Sequence, residues 1–302
     1  MFSFIKKGTH CLNMNVIKNI YHFLKSIILF PYNLYSLKTA FNTVGKDNKH
    51  LREELADLKR YSNSKIDSMQ EILINSLKEV SIENKSLIEN HFLQIESLLF
   101  IYNILPNLKY LPSTRGWAGS PDFLKKIVEI IISQKPRLVI EASSGVSSVV
   151  IGLALKNNNY GNSLSLEQDS TYLQQTNKFI EINQIEDYTS LLNCPLVEYE
   201  IENELWKWYQ TDKLDISEKI DLLVIDGPPR TTQKLARYPA IPILFSYLSD
   251  RFTILLDDAK RPDEILIVEK WVKFLEKEGC QINIEHYFNY EKGMVILNVN
   301  KG

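Results

Sequence analysis

Carboxylates stand at four places in this 302-residue chain where an apolar run stops: Glu141 after LVI, Glu167 closing SLSLE, Asp226 closing LLVID, and Asp257 with Asp258 closing ILLDD. Small residues follow the first of them, in the stretch EASSGVSS. Ser143, Ser144 and Gly145 allow a backbone to approach a ligand closely, and Gly145 tolerates a positive φ that most residues avoid. About 22 positions beyond Gly145, Glu167 has the position of a carboxylate that accepts the two hydroxyls of a ribose. Asp226, Asp257 and Asp258 are a candidate oxygen-rich cluster for Mg²⁺, Ca²⁺ or Mn²⁺. Without a metal, Asp226 or Asp258 could serve as general base on a hydroxyl. In a structural role, Asp257 or Asp258 would cap the following helix or pair with Arg261.

Alternating strands and helices must position these groups. RLVIE, SLSLE, TSLLNC, KIDLLVID and FTILLD read as strands. VSSVVIGLALKN, STYLQQTNKFIEIN and PDEILIVEKWVKFLEKEG read as helices, with TTQKLARYPAIPILFSYL helical in part. The strands are apolar nearly throughout, as expected when helices cover both faces of a parallel sheet. CQINIEHYF and MVILNVN, joined by NYEKG, predict an antiparallel hairpin at the C-terminal edge. Ser120, Pro121 and Asp122 mark a helix start. Trp117, Trp206, Trp208 and Tyr209 fall in segments read as loops, either as a lid over the site or as core of the connections.

In an open parallel sheet the ligand lies outside the carboxyl ends of the strands, where EASSGVSS is placed. A dinucleotide would require G-x-G-x-x-G. Here only Gly145 is present, Val149 stands where the third glycine belongs, and Glu141 would repel a pyrophosphate. A nucleoside carrying an ammonium group and no phosphate fits better, and S-adenosylmethionine is such a compound. The absence of the three-glycine turn, and of a Tyr-x-x-x-Lys pair in the expected helix, argues against an NAD-dependent sugar reductase or epimerase.

GWAGSPD, EASSGVSS, SLEQD, IDGPP, ARYP and LLDDAKR, in that order over roughly residues 111–299, resemble class I S-adenosylmethionine-dependent methyltransferases. More narrowly, they resemble a bacterial branch associated with polysaccharide and glycan pathways. The resemblance implies a Rossmann-like seven-stranded sheet of order 3-2-1-4-5-7-6. It also implies that Glu141, Ser143 and Gly145, with Ser144 and Ser147 of the same turn, line the methionine and ribose part of the cofactor. Glu167 would hold the ribose, Gln168 would lie beside the adenine, and Cys194, Pro195 and Leu196 would flank it. Asp226 would stand near the transferred methyl. Asp226, Asp257 and Asp258 resemble the metal ligands of catechol-type O-methyltransferases, with Asp258 in place of the usual Asn. Ser143 departs from the glycine of the usual E-x-G-x-G pattern. The expected activity is O-methylation of a sugar or small hydroxylated acceptor. The alternative is an inactive scaffold or binding protein with a methyltransferase-like domain. Arg230, Arg237, Lys260 and Arg261 would either meet an anionic acceptor such as a nucleotide sugar or pair with the nearby acids.

Composition narrows the classes further. A net charge of −2 supplies no field for nucleic acid. Three distant cysteines, Cys11, Cys194 and Cys280, argue against a disulfide framework and a zinc site and favour a reducing, cytoplasmic compartment. His286 is the one histidine beyond residue 91, and it lies in a strand-like run. Residues 1–45 form an apolar and aromatic segment that Lys25 and Pro31 interrupt, and its uncharged stretch Ser26–Leu37 is too short to span a bilayer. It would be a surface-lying helix at the inner face of a membrane, with Lys6, Lys7, Lys18 and Lys25 near the head groups, or a helix packed on protein. Residues 46–105, free of Pro and Gly, predict a long helix. Leu51, Leu55, Leu58, Met69 and Ile72 hold one phase, and Ile74, Leu77, Ile88, Ile95 and Leu99 hold a shifted one. Ser62 and Lys65 interrupt the seam. Such helices pair, so a coiled coil joining a homo-oligomer is one expectation and a hairpin against the domain at 111–302 is the other.

Overall fold

The computed structural model describes residues 49–302 other than 213 and 215, together with positions 18, 19, 21, 22, 25, 34–36 and 38. Most of the segment 1–45, with Cys11, Lys6 and Lys7, lies outside the described residues. Among the described residues no helix is long and apolar enough to cross a membrane. The chain divides into two compact units, 1–88 and 89–302. Helix α1, Lys49–Ile104, has 56 residues and would measure about 84 Å at 1.5 Å per residue. Its first part belongs to the first unit and its last four turns to the second.

The second unit is a three-layer α/β domain. After α1 come α2 (Pro121–Gln134), β1 (Leu138–Ala142), α3 (Val146–Asn158), β2 (Asn162–Glu167), α4 (Ser170–Asn183) and β3 (Thr189–Asn193). Next are β4 (Leu196–Ile201), β5 (Glu204–Tyr209), β6 (Ile220–Ile225) and the short α5 (Ala240–Leu244). The chain ends with β7 (Leu248–Asp257), α6 (Pro262–Lys277), β8 (Cys280–Tyr287) and β9 (Met294–Lys301). Seven strands form one sheet in the order β3-β2-β1-β6-β7-β9-β8. β9 runs antiparallel to β7 and to β8, and the pairs among the first five are parallel. The sheet is the expected Rossmann-like one: with the β4–β5 insert set aside, the order reads 3-2-1-4-5-7-6, the C-terminal hairpin included.

The apolar strands are explained by cover on both faces. Val139, Leu222, Val224 and Leu255 pack with Phe123, Leu124 and Ile127 of α2 and Val149, Val150 and Leu153 of α3. Ile140, Leu223, Ile225, Ile254 and Leu256 pack on the other face with Ile267 and Trp271 of α6. Burying each such side chain contributes roughly 1.5–3 kcal/mol. The last turns of α1 join the first of these layers through Ile101, while buried Gln94 makes a two-way contact with Asp122. Its amide donates to Asp122 Oδ2 at 2.8 Å, and its carbonyl accepts from Asp122 N–H at 3.1 Å. Ser120 is the N-cap of α2, but its hydroxyl donates to Asp122 Oδ1 rather than capping the helix.

One part of the sequence reading is corrected here. Trp206, Trp208 and Tyr209 are not in a loop. They lie on β5, which pairs antiparallel with β4 in a separate two-stranded sheet. Trp208 and Tyr209 are fully buried and Trp206 nearly so. The signal was present: LVEYEI and ELWKWY both alternate, and Glu202 and Asn203 between them both adopt positive φ (53° and 65°), as a tight primed hairpin turn requires. Trp117 does lie in a turn and is 86% exposed.

Candidate active site

The site forms where β1, β2 and β6 end side by side. Glu141 pairs in register with Ser165 and Val224, so its side chain enters a place with no bulk water. One oxygen, Oε2, accepts from Ser148 Oγ at 2.5 Å and Ser165 Oγ at 2.6 Å. The other, Oε1, is buried with no partner. Burial pushes the carboxyl up to about 7, opposed by the surrounding serine hydroxyls and reinforced by the charge of Asp226. A carboxylate in this state lacks one donor, and a ligand ammonium or hydroxyl would supply it.

The turn after β1 is built for close approach. Ser143 adopts φ 115° and Gly145 φ 149°. A Cβ on Gly145 would meet nothing within 4 Å, so the space in front of α3 is open. No Lys or Arg occurs between Leu138 and Leu155, which leaves that turn without a side-chain cation for a phosphate. Ser143 N–H donates to Leu166 O, and Asp226 N–H donates to Ala142 O, tying the three strand ends together. Ser147, in the first turn of α3, is buried. Glu167 is buried as well. Its Oε2 accepts from Ser144 Oγ at 2.9 Å and its Oε1 from Asp169 N–H at 2.9 Å. Beside it, Gln168 Oε1 is buried without a partner. Cys194 is buried in the core, and its N–H donates to Glu167 O. The structure thus brings Glu141, Ser143, Ser144, Gly145, Ser147 and Glu167 together, with Gln168 and Cys194 at the second and third strand ends.

Tyr209 belongs to the same place, delivered by the β4–β5 insert. A Cβ on Gly227 would collide with its hydroxyl and stand 3.1 Å from Ala142 O and from Ser143 Cβ. That close approach explains Gly227 in the turn after β6. The hydroxyl is buried and has no hydrogen-bond partner. Burial holds its pKa well above the ordinary value, with Glu167 adding and Arg237 opposing. It is therefore a neutral O–H donor facing a group of acids.

The three aspartates also converge: one oxygen from each of Asp226, Asp257 and Asp258 lies within 4.8 Å of the others. Between them stands Arg237. Its Nη2 donates to Asp226 Oδ1 at 3.0 Å, to Asp226 O at 2.6 Å and to Asp258 Oδ2 at 2.7 Å, and its Nη1 donates to Asp257 O at 2.9 Å. Arg261 reaches Asp258 Oδ2 at 2.6 Å, and Lys292 stands 3.8 Å from Asp257 Oδ2. Burial disfavours the Arg237 charge, but the charges of Asp226, Asp258, Asp257 and Glu264 outweigh it and raise its pKa. Asp257, whose two oxygens have no hydrogen-bond partner, is pushed well above the carboxylate range by burial and by Asp226 and Asp258. Burial also raises Asp226, against the pull of Arg237. This donor set does not fit the expected divalent ion. Asp226 Oδ1 and Asp258 Oδ2 are committed to a guanidinium, and three cations, Arg237, Arg261 and Lys292, already stand among the three aspartates and Glu264. Neither Asp257 nor Asp258 caps α6, whose N-cap is Arg261.

A cavity of about 540 Å³ at the opposite edge of the sheet, lined by Gln134, Asp221, Arg251 and Asn298 among others, contains none of these groups.

No protein-family profile and no curated protein matches the sequence. Solved structures similar in chain trace include a putative O-methyltransferase from Klebsiella pneumoniae, at 14% identity and TM-score 0.46, covering 67% of this chain and 90% of that one. Another is the O-methyltransferase from Bacillus cereus in complex with SAH, at 15% identity and TM-score 0.45, covering 67% and 90%. The N-terminal domain of human METTL16 in complex with SAH is similar at 15% identity and TM-score 0.48, covering 70% and 82%.

Proposed function

We propose that this chain is an S-adenosylmethionine-dependent methyltransferase that acts on the oxygen of a sugar or related small hydroxylated acceptor. One observation carries the reading. The carboxyl ends of β1 and β2 enclose buried acceptors without donors, Glu141 Oε1 and Gln168 Oε1, together with the buried donor Tyr209 Oη, around a turn without a side-chain cation. A nucleoside with an ammonium group and no phosphate would satisfy them. Bound there, S-adenosylmethionine would supply a methyl group already activated on sulfur.

The chain's own residues then have distinct tasks. Glu141 orients a donor through its free oxygen, and Glu167, held by Ser144 and Asp169, presents a fixed carboxylate to ribose hydroxyls. Gly145 leaves room for the ligand. Asp226, whose side chain is 13% exposed, is the acid of the cluster with access to an incoming hydroxyl. Its raised pKa makes it a better proton acceptor near neutral pH. Asp258, locked by two guanidiniums, holds Arg237 and Arg261 in place. Alignment supplies most of the rate, because the donor needs no further activation. Arg230, exposed at the same edge, and the half-exposed Arg261 favour an acceptor with negative charge, such as a nucleotide sugar. No step runs through a metal.

A second reading, a scaffold without activity, is favoured by Ser143, a side-chain-bearing residue at φ 115° in the turn that meets the cofactor. Calorimetry with S-adenosylhomocysteine separates the two, since an inactive scaffold that has lost the site gives no heat. Transfer of labelled methyl to a panel of nucleotide sugars and glycans tests the acceptor. Label on a protein or catechol alone would remove the carbohydrate reading.

Self-association belongs to the proposal. Phe92, Ile95, Leu99 and Tyr102, at alternating spacings of three and four along α1, are each more than half exposed, as expected of a seam awaiting a second helix.

A further inference from the structure

We infer that Arg237 takes the place of a divalent cation at the ends of β6 and β7, so that the acidic cluster is a guanidinium-bridged lock and the chain works without a metal. The cluster has the composition of an oxygen-rich metal centre, but its geometry is that of hydrogen bonds. A single nitrogen, Arg237 Nη2, stands 3.0 Å from Asp226 Oδ1 and 2.7 Å from Asp258 Oδ2. Mg²⁺ in the same position would demand oxygens at about 2.0–2.1 Å in a near-octahedral shell. The guanidinium also takes two backbone carbonyls, Asp226 O and Asp257 O, one from the end of each strand. A planar fork with five donors can join two strand ends in this way, and a lysine ammonium cannot match that geometry.

Burial strengthens the inference. The Arg237 side chain is 4% exposed and that of Asp258 5%. A cation this deep is retained only when paired and hydrogen-bonded; here Nη1 and Nη2 carry the pairing, while Nε has no hydrogen-bond partner. Arg261 and Lys292 complete the compensation. Adding a divalent ion would place it against three positive groups, and removing Arg237 would leave only Arg261 and Lys292 against the acids.

A consequence for the substrate rests on the methyltransferase reading. With no metal to bind paired oxygens, the acceptor is not selected by chelation, and a lone hydroxyl suffices. The binding test below does not depend on that reading.

The experiment is a Mn²⁺ titration of the full chain, followed by electron paramagnetic resonance. Wild type is expected to show no saturable Mn²⁺ site, and EDTA treatment is expected to leave its thermal midpoint unchanged. Arg237→Gln, folded by far-UV circular dichroism, is expected to gain one saturable site that disappears when Asp258→Asn is added. Saturable binding to wild type that is lost in Asp258→Asn would overturn the inference, as would a folded Arg237→Gln chain that binds no Mn²⁺. Should Arg237→Gln not fold, the wild-type titration still decides, and Arg237→Lys, which keeps the charge, is expected to remain free of Mn²⁺. Mn²⁺ binding to that variant would count against the inference.

Discussion

Replacing Ser143 by glycine should stabilise this protein before any ligand is added. Ser143 holds φ at 115°, a value open to glycine and unfavourable for a residue with a Cβ. Such a conformation costs of order 1–3 kcal/mol. It persists because Ser143 N–H is tied to Leu166 O, and its neighbour Ala142 accepts from Asp226 N–H. Against the relief stands the greater freedom of glycine in the unfolded chain, about 0.4–1 kcal/mol. The net expectation is a gain of about 0.5–2 kcal/mol. For a domain of this size about 2–4 °C accompanies each kcal/mol, so the thermal midpoint should rise by roughly 1–8 °C. Ser143→Ala is the control. It removes the hydroxyl but keeps the Cβ, and its midpoint should stay with wild type. Scanning calorimetry of the three proteins without ligand is the assay. Ser143→Gly melting at or below wild type, or Ser143→Ala rising as far as the glycine variant, would refute the strain argument and transfer the effect to the hydroxyl.

Three further outcomes are expected. Glu141 has a folded-state pKa raised to about 7, so the folded chain binds more protons than the unfolded one. The stability this gives is fully present below about pH 4.5 and is lost as pH rises through about 7. The difference is on the order of 3 kcal/mol. Glu141→Gln should flatten that part of the melting-temperature profile and melt above wild type at pH 8; parallel profiles would sink the assignment. Tyr209→Phe removes a buried hydroxyl that has no protein partner, so the midpoint should not fall, while calorimetric affinity for S-adenosylhomocysteine should weaken about tenfold, the worth of one hydrogen bond. Unchanged affinity would show that the hydroxyl does not reach the ligand. Leu99→Glu should convert an oligomer to a monomer in light scattering, and an identical mass for both proteins would show that the seam on α1 does not hold copies together.

The sheet could be read in the sequence because its strands are short apolar runs ended by acids, and because burial on both faces demands such runs. The hairpin β8–β9 was legible as two strand-like runs joined by the short NYEKG turn. The insert β4–β5 was missed because its strands are half polar and the turn is Glu-Asn rather than the usual Asn-Gly. With it went the role of Tyr209, whose aromatic ring was visible but whose position depends on a pairing register: Leu196 opposite Tyr209 and Val197 opposite Trp208. Period-2 alternation of Trp206 and Trp208 was the available signal. At the first strand end the acid and the small-residue turn were legible, but the partners of Glu141 were not: Ser165 reaches it through the parallel β1–β2 register and Ser148 from the first turn of α3.

The acids after β6 and β7 show where residue types stop being enough. Asp226, Asp257 and Asp258 are the same three side chains whether a metal, a proton or a guanidinium balances them. What decides is the partner that arrives from elsewhere in the chain. Arg237 is 11 positions from Asp226 and 21 from Asp258, in a stretch that is irregular until α5 begins, so no helical or strand period announces that it turns inward. Once there, its charge changes what each acid can do. Asp258 becomes a fixed anchor, Asp257 lies beneath with no hydrogen-bond partner and Lys292 3.8 Å away, and Asp226 has the most exposed side chain of the three. On the proposed reading, one arginine converts a set of candidate metal ligands into a base and its supports.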